Sequence, residues 1–450
     1  MQTPAPDEEA LRLSELLSAL SHALDLTEGQ PQGHCVRCCW IGTAIGREIG
    51  LSEVELWELY YTLLLKDVGC SSNAARISAL YKTDDLLFKH DAKIVGTSLP
   101  ALLNFVVTHT AGATGFADRV QTLLSVVPKS PAVAHEVIAT RCERGADIAR
   151  RLRFSDRVAD GIHDLDEHWD GNGHPAGKKG DAIPVYARIA LLAQVVDVFN
   201  TAYGRIETRK EIGRRSGSWF DPDLVAAFTR AQGRHGFWEG LASPHLETTV
   251  LDLEPARHAK QLDDDFLDDI AEAFAEVVDS KSPYTSGHSS RVAEFADMIA
   301  AELDFAPASR RWLRRGALLH DIGKLGVSNA ILDKPGPLTA EERQAMRQHA
   351  ALTETILSRI TAFAELARIA GAHHERLDGK GYPHGRFGDE IAIDTRVLTT
   401  ADIYDALTAK RPYRSAMSQE AALEIMADEV GTAIDARCFA ALRVGLAKRA

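Results

Sequence analysis

The chain has 450 residues, more than one hydrophobic core usually organises, so two domains are expected. Its composition, 45% hydrophobic and 26% charged, is typical of a soluble globular protein, and no apolar run reaches the roughly 18 residues of a membrane span. The net charge of −13 disfavours general binding to DNA, RNA or anionic membranes. Six cysteines and an acidic N-terminus without a secretory pattern predict a cytoplasmic protein with reduced thiols.

One helical unit occurs twice along the chain. Residues 33–69 align without a gap to 287–323, sharing Gly-His at the start and Leu-Leu and Asp-x-Gly near the end. A second register, offset by 208 residues, aligns 170–175 with 378–383. The first copy has about 46 additional residues between Gly69 and Arg141. Two matches in the same order indicate an internal duplication.

The hydrophobic periodicity predicts helices in both copies. In the second copy, apolar residues recur every three or four positions over 303–319, 340–360 and 421–430. Thr339, followed by two glutamates, predicts a helix start. The charged stretch 243–265 contains two prolines and is the predicted junction. We therefore expect an all-α protein made of two tandem helical bundles.

A series of metal-ligand residue types lies in the second copy, with members spaced so that they fall on different helices, as a site in the core of a bundle requires. Imidazoles combined with carboxylates suit iron, manganese or zinc. Asp321, next to a ligand histidine, is the natural bridge between two cations about 3.5–4 Å apart. The predicted ligands are His288, His320, Asp321, His349, His373, His374 and Asp402.

The first copy has lost most of this set. The positions of His320, His349, His373, His374 and Asp402 are taken by Lys66, Arg141, Leu165, Asp166 and Gln194. A cation is not expected beside inward-pointing lysine and arginine, which repel it and offer no lone pair. The four residues His34, Cys38, Asp67 and Cys70 could bind zinc, although buried core cysteines explain them equally simply.

The second half resembles the HD-GYP family of bacterial phosphodiesterases, which act on cyclic di-GMP. The resemblance spans roughly residues 284–442 and rests on short motifs in a fixed order. They are His288-Ser-Ser-Arg-Val292, His320-Asp-Ile-Gly-Lys324, Lys334-Pro-Gly-Pro-Leu-Thr339, His373-His-Glu-Arg376, Asp378-Gly-Lys-Gly-Tyr-Pro383, Asp402-Ile-Tyr-Asp-Ala-Leu-Thr408 and Arg411-Pro-Tyr-Arg414. The resulting division is a degenerate HD-like regulatory domain over 1–245, a linker over 246–265 and an HD-GYP catalytic domain over 266–450.

The resemblance also implies substrate contacts outside the metal ligands. Lys324 lies one helical turn after Asp321 and could bind a phosphate oxygen, although a surface salt bridge is its simpler role. Arg411 and Arg414 are expected to hold the second phosphate, with a solvated helix face as the alternative. Tyr382 could stack on guanine or simply pack in its turn.

Some family members carry a glutamate for a third metal four residues before the first histidine. Tyr284 stands at that position here, and a neutral phenol is a poor ligand for a hard cation. The sequence therefore predicts two divalent metal ions, with iron or manganese implied by the resemblance. Asp321 and Lys324 are the predicted catalytic residues.

The expected function is hydrolysis of cyclic di-GMP by a hydroxide activated by two metals, giving linear pGpG, with further cleavage to GMP left open. One alternative is a phosphohydrolase for another nucleotide, such as a mixed cyclic dinucleotide. The other is a non-catalytic cyclic-dinucleotide receptor or scaffold. A homodimer and a signalling partner for the N-terminal lobe are left open.

Overall fold

The computed structural model describes residues 11–92, 108–109, 130–254, 262–410 and 415–449. The predicted all-α class is confirmed: these residues form α-helices and short 3-10 turns, with isolated β-bridges and no β-strand among them. Contacts divide the described residues into two compact units, one within 12–254 and the other comprising Leu11 and the described residues from 262 onwards.

The first unit is a bundle built around the long helix α8. Two of its helices begin at a serine that accepts a hydrogen bond from the main chain of the first turn. Its helices are α1 (Leu13–Thr27), α2 (His34–Glu48), α3 (Glu53–Leu65), α4 (Ala74–Tyr81), α5 (Asp85–Ala92), α6 (Ser130–Arg151), α7 (Asp156–His163), α8 (Val185–Arg215), α9 (Pro222–Gln232), α10 (Phe237–Leu241) and α11 (Leu246–Leu251).

Helix α8 has the length and apolar composition of a membrane span, but 72% of its apolar window is buried inside the unit. It bends at Gly204, whose φ of 78° interrupts the helical backbone. The burial is that of a core helix, and by length and composition it is the single candidate span among the described residues.

The predicted linker begins too early along the chain. Helix α11 lies inside the stretch assigned to it, and Leu246 and Val250 are both buried in the first unit. Glu254 extends the attachment, because the Tyr61 hydroxyl donates to its carboxylate at 2.5 Å. This short amphipathic helix was not predicted because the stretch is rich in charged residues, although its buried apolar residues lie one turn apart.

The second unit repeats the bundle with shorter connections. The predicted start of α16 is confirmed by a capping box in which Thr339 and Glu342 satisfy each other's main-chain N–H groups. The helices are α12 (Asp264–Asp279), α13 (His288–Glu302), α14 (Pro307–Leu319), α15 (Asn329–Leu332), α16 (Ala340–Leu357), α17 (Ala364–Gly371), α18 (Ile393–Thr408), α19 (Gln419–Asp428) and α20 (Ala436–Arg449).

The duplication inferred from sequence appears as equivalent hydrogen bonds in both units. His34 Nδ1 lies 2.7 Å from Asp197, and His288 Nδ1 lies 2.7 Å from Asp405. In each unit the arginine three residues after the histidine donates Nε to the same carboxylate at 2.6 Å. These bonds join the segments that the two alignment registers had matched separately, so each unit is one copy of the repeat.

Candidate metal centre

The second unit brings all seven predicted ligands into one buried cluster. They come from helix ends and from the inner faces of two helices, so that separate elements converge on the core. His288 begins α13, His320 and Asp321 follow α14, His349 lies in α16, His373 and His374 follow α17, and Asp402 lies in α18.

Gly323 allows two of these elements to approach each other. A Cβ added at this glycine would lie 2.0 Å from the main-chain oxygen of His349, far inside any real contact. Thr353 closes the same junction, since its Oγ1 donates to the His320 carbonyl at 2.9 Å and accepts from the Gly323 N–H at 3.0 Å. The turn that carries Asp321 is therefore held directly against α16.

The Asp321 carboxylate lies between two groups of imidazoles. Its Oδ2 is 3.3 Å from Nε2 of both His288 and His320. Its Oδ1 is 3.5 Å from His349 Nε2 and 3.8 Å from His373 Nε2. Each carboxylate oxygen thus faces its own set of ring nitrogens, the arrangement expected of a bridge between two cations.

The two remaining predicted ligands, Asp402 and His374, lie on opposite sides of the Asp321 carboxylate, one beside each group of imidazoles. Asp402 Oδ1 lies 3.4 Å from His288 Nε2, on the side of Asp321 Oδ2. His374 joins His349 and His373 in a group whose candidate ligand atoms all lie within 4.8 Å of one another. The geometry gives two adjacent mixed nitrogen and oxygen pockets that share Asp321.

Main-chain carbonyls fix the orientation of three rings. A carbonyl oxygen only accepts hydrogen bonds, so the ring nitrogen beside it carries the proton and Nε2 keeps its lone pair. This is the usual outer-shell arrangement of a metal-binding histidine. The Nδ1 atoms of His320, His349 and His373 each lie 2.6 Å from a carbonyl oxygen, those of Ala317, Met346 and Ala370 respectively.

Three buried polar atoms at the centre have no hydrogen-bond partner among the described residues. They are Nε2 of His288, Nε2 of His320 and Oδ1 of Asp321. Buried polar atoms without partners are rare because desolvation is costly. Divalent cations satisfy lone pairs of these types, so the residues present fit a metal site.

Burial keeps part of the cluster neutral. It lowers the pKa of His349 to about 4 and that of His373 to about 3, so both rings are uncharged at neutral pH. At Asp321 burial acts against ionisation, but His320 and Lys324 hold the pKa of its carboxyl well below the usual value. His349 and His373 therefore present neutral imidazoles to an ionised carboxylate, the protonation states that metal binding needs.

The predicted substrate contacts lie in different surroundings. Lys324 Nζ donates to Asp321. The Tyr382 ring packs 4.7 Å from the His374 ring, and the Arg347 guanidinium lies 5.0 Å from the same tyrosine. Packing is thus observed for Tyr382, while stacking on a base stays a prediction. The predicted Arg411 and Arg414 lie outside the described residues.

Asp405 is a site residue that sequence reasoning did not assign. It accepts from His288 Nδ1 at 2.7 Å and from Arg291 Nε at 2.6 Å. It lies within the motif Asp402–Thr408, in which only Asp402 was predicted to have a role. The sequence did contain a signal for this residue. Asp197 aligns with Asp405 at the offset of 208 residues, so both copies keep an aspartate here, although Gln194 replaces the ligand Asp402 three positions earlier.

The equivalent place in the first unit contains a lysine ammonium. Lys66 is buried, and its Nζ lies 3.0 Å from His34 Nε2 and 3.2 Å from Gln194 Oε1 while it also donates to Asp67. The ammonium thus contacts His34 and Asp67, two of the four residues considered for zinc. A fixed positive charge occupies the space between them.

A second ion pair replaces the other half of the ligand set. Arg141 pairs with Asp166, and these residues stand where the second unit has His349 and His374. At two positions where the second unit has metal ligands, the first unit therefore has a guanidinium and a carboxylate that neutralise each other's charge. Loss of the metal site from the first copy, inferred from residue types, stays a prediction.

Comparisons with known proteins agree with this geometry. The HD domain family model matches residues 132–224 and 272–438, and so covers parts of both units. The chain is 55% identical over 434 residues to 3′3′-cGAMP-specific phosphodiesterase 3 of Vibrio cholerae, covering 96% of this chain and 94% of that one. It is 35% identical over 177 residues to a cyclic di-GMP phosphodiesterase response regulator of Xanthomonas campestris, covering 39% of this chain and 47% of that one.

A solved structure shows the same similarity. The crystal structure of a cyclic GMP-AMP-specific phosphodiesterase of Vibrio cholerae superimposes with a TM-score of 0.68 at 50% identity, covering 97% of this chain and 98% of that one. The likeness therefore extends across the first unit as well as the second.

Proposed function

Because this chain belongs to the HD-GYP phosphodiesterases of the HD domain family, we propose that it hydrolyses 3′3′-cGAMP in preference to other cyclic dinucleotides. It is a metal-dependent phosphodiesterase. The preference rests on a relative named for 3′3′-cGAMP that matches 96% of the chain. Relatives named for cyclic di-GMP match less of it, 39% for the one from Xanthomonas campestris. Cyclic di-GMP, the substrate expected from the motifs, is therefore the second candidate.

The position of Asp321 is the observation that carries the proposal. Its two oxygens face two sets of imidazole nitrogens, which supports a centre of two cations held by the seven residues predicted from sequence. Iron and manganese suit this nitrogen and oxygen set and are the proposed metals. When bound, the pair would supply Lewis-acid activation of water and of the phosphodiester.

Access to the centre supports roles for two of the chain's own side chains. The side chain of Asp402 is 12% exposed and that of Lys324 is 16% exposed, compared with 1% for Asp321. Substrate approaching on this side would bring a phosphate oxygen within reach of the Lys324 ammonium. That ammonium would then stabilise negative charge on the phosphate oxygens in the transition state, while Asp321 orients it.

The first unit is proposed to be a degenerate HD-like regulatory lobe. Lys66 fills the place of a cation and Arg141 pairs with Asp166, so the described residues of this unit offer no second hydrolytic centre of the same kind. A relative matched over nearly the whole chain supports a joint role for both units.

The substrate proposal is tested by initial rates on a panel of substrates. Protein purified without oxygen and loaded with Fe(II) or Mn(II) is given 3′3′-cGAMP, cyclic di-GMP and cyclic di-AMP at equal concentration. We expect kcat/KM to be highest for 3′3′-cGAMP. A higher value for cyclic di-GMP would reverse the order of the two candidates, and tight binding without turnover of any member would indicate a receptor.

Metal content tests the number of cations. Tyr284 stands where some family members carry a glutamate, and a neutral phenol is a poor ligand for a hard cation. We expect two metals per chain by elemental analysis of the reconstituted protein. Three per chain would contradict the two-metal proposal.

A further inference from the structure

A cleft of about 490 Å³ lies in the second unit beside the metal centre. This volume is within the range of small-molecule sites in proteins. Its lining combines two aromatic rings, two cationic side chains and several hydroxyl groups. The lining residues are Pro283, Tyr284, Ser286, Arg291, Phe295, Asp405, Thr408, Ala409 and Lys410.

The cleft shares a wall with the metal centre. Asp405, which lines it, accepts from Nδ1 of His288, and Nε2 of the same ring faces Asp321 and Asp402. One side of the imidazole therefore points towards the proposed metals and the other is anchored by the cleft wall.

Helix α18 connects the two places. It carries Asp402 in the centre and then, further along, the cleft residues Asp405 and Thr408. At about 1.5 Å per residue, the helix advances roughly 9 Å from Asp402 to Thr408. A nucleotide whose phosphate lies at Asp402 could thus extend its base along α18 into the cleft.

Hydrogen-bond donors predominate among the groups that remain available in the cleft. Both oxygens of Asp405 already accept hydrogen bonds, one from His288 and both from Arg291. Among the described residues, no acceptor bonds the Lys410 ammonium, and the Tyr284 hydroxyl has no partner. The cleft therefore suits a ligand that presents acceptors.

Guanine and adenine differ in this respect. Guanine presents two adjacent acceptors, O6 and N7, whereas adenine replaces O6 with an amino donor. A lysine or arginine accordingly selects guanine, and an aromatic side chain provides a stacking surface for either base. Cation and ring occur together here as Lys410 and Tyr284.

We propose that this cleft binds the guanosine half of the substrate, with Lys410 reading the guanine edge and Tyr284 stacking on the base. The inference rests on the proposed function, since it assigns part of a cyclic dinucleotide to a place in the fold. It also gives Tyr284 a role where some family members have a metal-binding glutamate. Lys410 and Tyr284 are then specificity residues that touch the base and take no part in bond cleavage.

The test measures binding of two mononucleotides to the full chain loaded with Mn(II). GMP and AMP carry the same phosphate and differ only in the base, so the ratio of their affinities reports base recognition. By isothermal titration calorimetry we expect the wild type to prefer GMP. Lys410→Met should weaken GMP binding about tenfold and leave AMP binding unchanged, because only guanine loses a contact.

A second variant and a control complete the design. Tyr284→Leu should weaken both nucleotides about tenfold, because stacking does not distinguish the bases. Lys448→Met removes a lysine that pairs with Glu302 away from the cleft, and both affinities should stay at the wild-type value. Metal content and melting temperature measured on each variant establish that the centre is intact.

Equal losses for GMP and AMP in Lys410→Met, or no loss for either, would overturn the proposal. The first result would show that Lys410 binds phosphate, and the second that the cleft takes no base. The readout is independent of turnover, so a chain that selects GMP through Lys410 but leaves 3′3′-cGAMP intact would refute the proposed function alone.

Discussion

The orientation of individual rings determines what this centre can bind. Three histidines are aligned by carbonyl groups three residues earlier, whereas His288 depends on a carboxylate from another helix, that of Asp405. Burial acts to lower the pKa of His288, but the neighbouring carboxylates of Asp321 and Asp405 raise it to about 9. His288 is therefore the ligand most dependent on a distant side chain.

Asp405→Asn should weaken metal binding without removing a ligand. The amide lacks the charge that orients His288, and loss of such an outer partner typically costs about 10- to 100-fold in metal affinity. Titration of metal-free protein with Mn(II) measures the effect. The matched control is Asp197→Asn, the same change at the equivalent place in the first unit, which should leave the affinity unaltered. Equal affinities for both variants would contradict the role of Asp405.

Lys66→Met should destabilise the first unit strongly. The change leaves Asp67 buried without its counter-charge, and breaking a buried pair typically costs about 3–5 kcal/mol. The free energy of unfolding in urea measures it. Lys210→Met removes an exposed lysine that pairs with Glu207, and a change below about 1 kcal/mol is expected for this control. A similarly small change for Lys66→Met would contradict the structural role of the ammonium.

At the scale of elements, the sequence predicted the helical class, the duplication and the start of α16. These follow from local signals such as periodicity, a capping residue and repeated motifs. The pairing of Asp405 with His288 was not assigned because the residues are 117 positions apart and meet only through packing of α13 on α18. The short helix α11 was missed because its polar residues resemble those of a linker.

Close packing of elements gives a prediction at Gly323. Gly323→Ala would place a Cβ against the main chain of His349, so α16 must shift and the ligands on either side of it separate. We expect a lower melting temperature and reduced metal content. Gly316→Ala is the control, because a Cβ there would meet Leu366 at an ordinary 3.5 Å. Equal metal content in the two variants would show that this close approach is not required.

At the scale of the whole molecule, the two units are copies of one bundle with different charges at their centres. The second keeps seven ligand residues, and the first has a buried ammonium and an arginine–aspartate pair in their place. The net charge disfavours nucleic acids and anionic membranes as partners, but it does not distinguish the two centres. The side-chain geometry does, because the second unit fits cations and the first is neutralised by its own lysine and arginine.

The cysteines allow a test of the whole fold. All six are buried and free, and burial raises the pKa of Cys35, Cys39 and Cys70 well above the usual value. Because the thiolate is the reactive form, the native chain should resist alkylation at pH 8 and react fully in urea. Mass spectrometry after iodoacetamide treatment measures this. Rapid labelling of these thiols in the native chain would contradict their burial.

We propose that the centre around Asp321 hydrolyses a cyclic dinucleotide when its metal ions are bound. The most direct measurement is the turnover of 3′3′-cGAMP by protein loaded anaerobically with Fe(II) or Mn(II), compared with Asp321→Ala under the same conditions. We expect conversion to a linear dinucleotide at a rate that requires metal and falls by at least about a thousandfold in the variant. Undiminished turnover by Asp321→Ala, or none by the metal-loaded wild type, would contradict it.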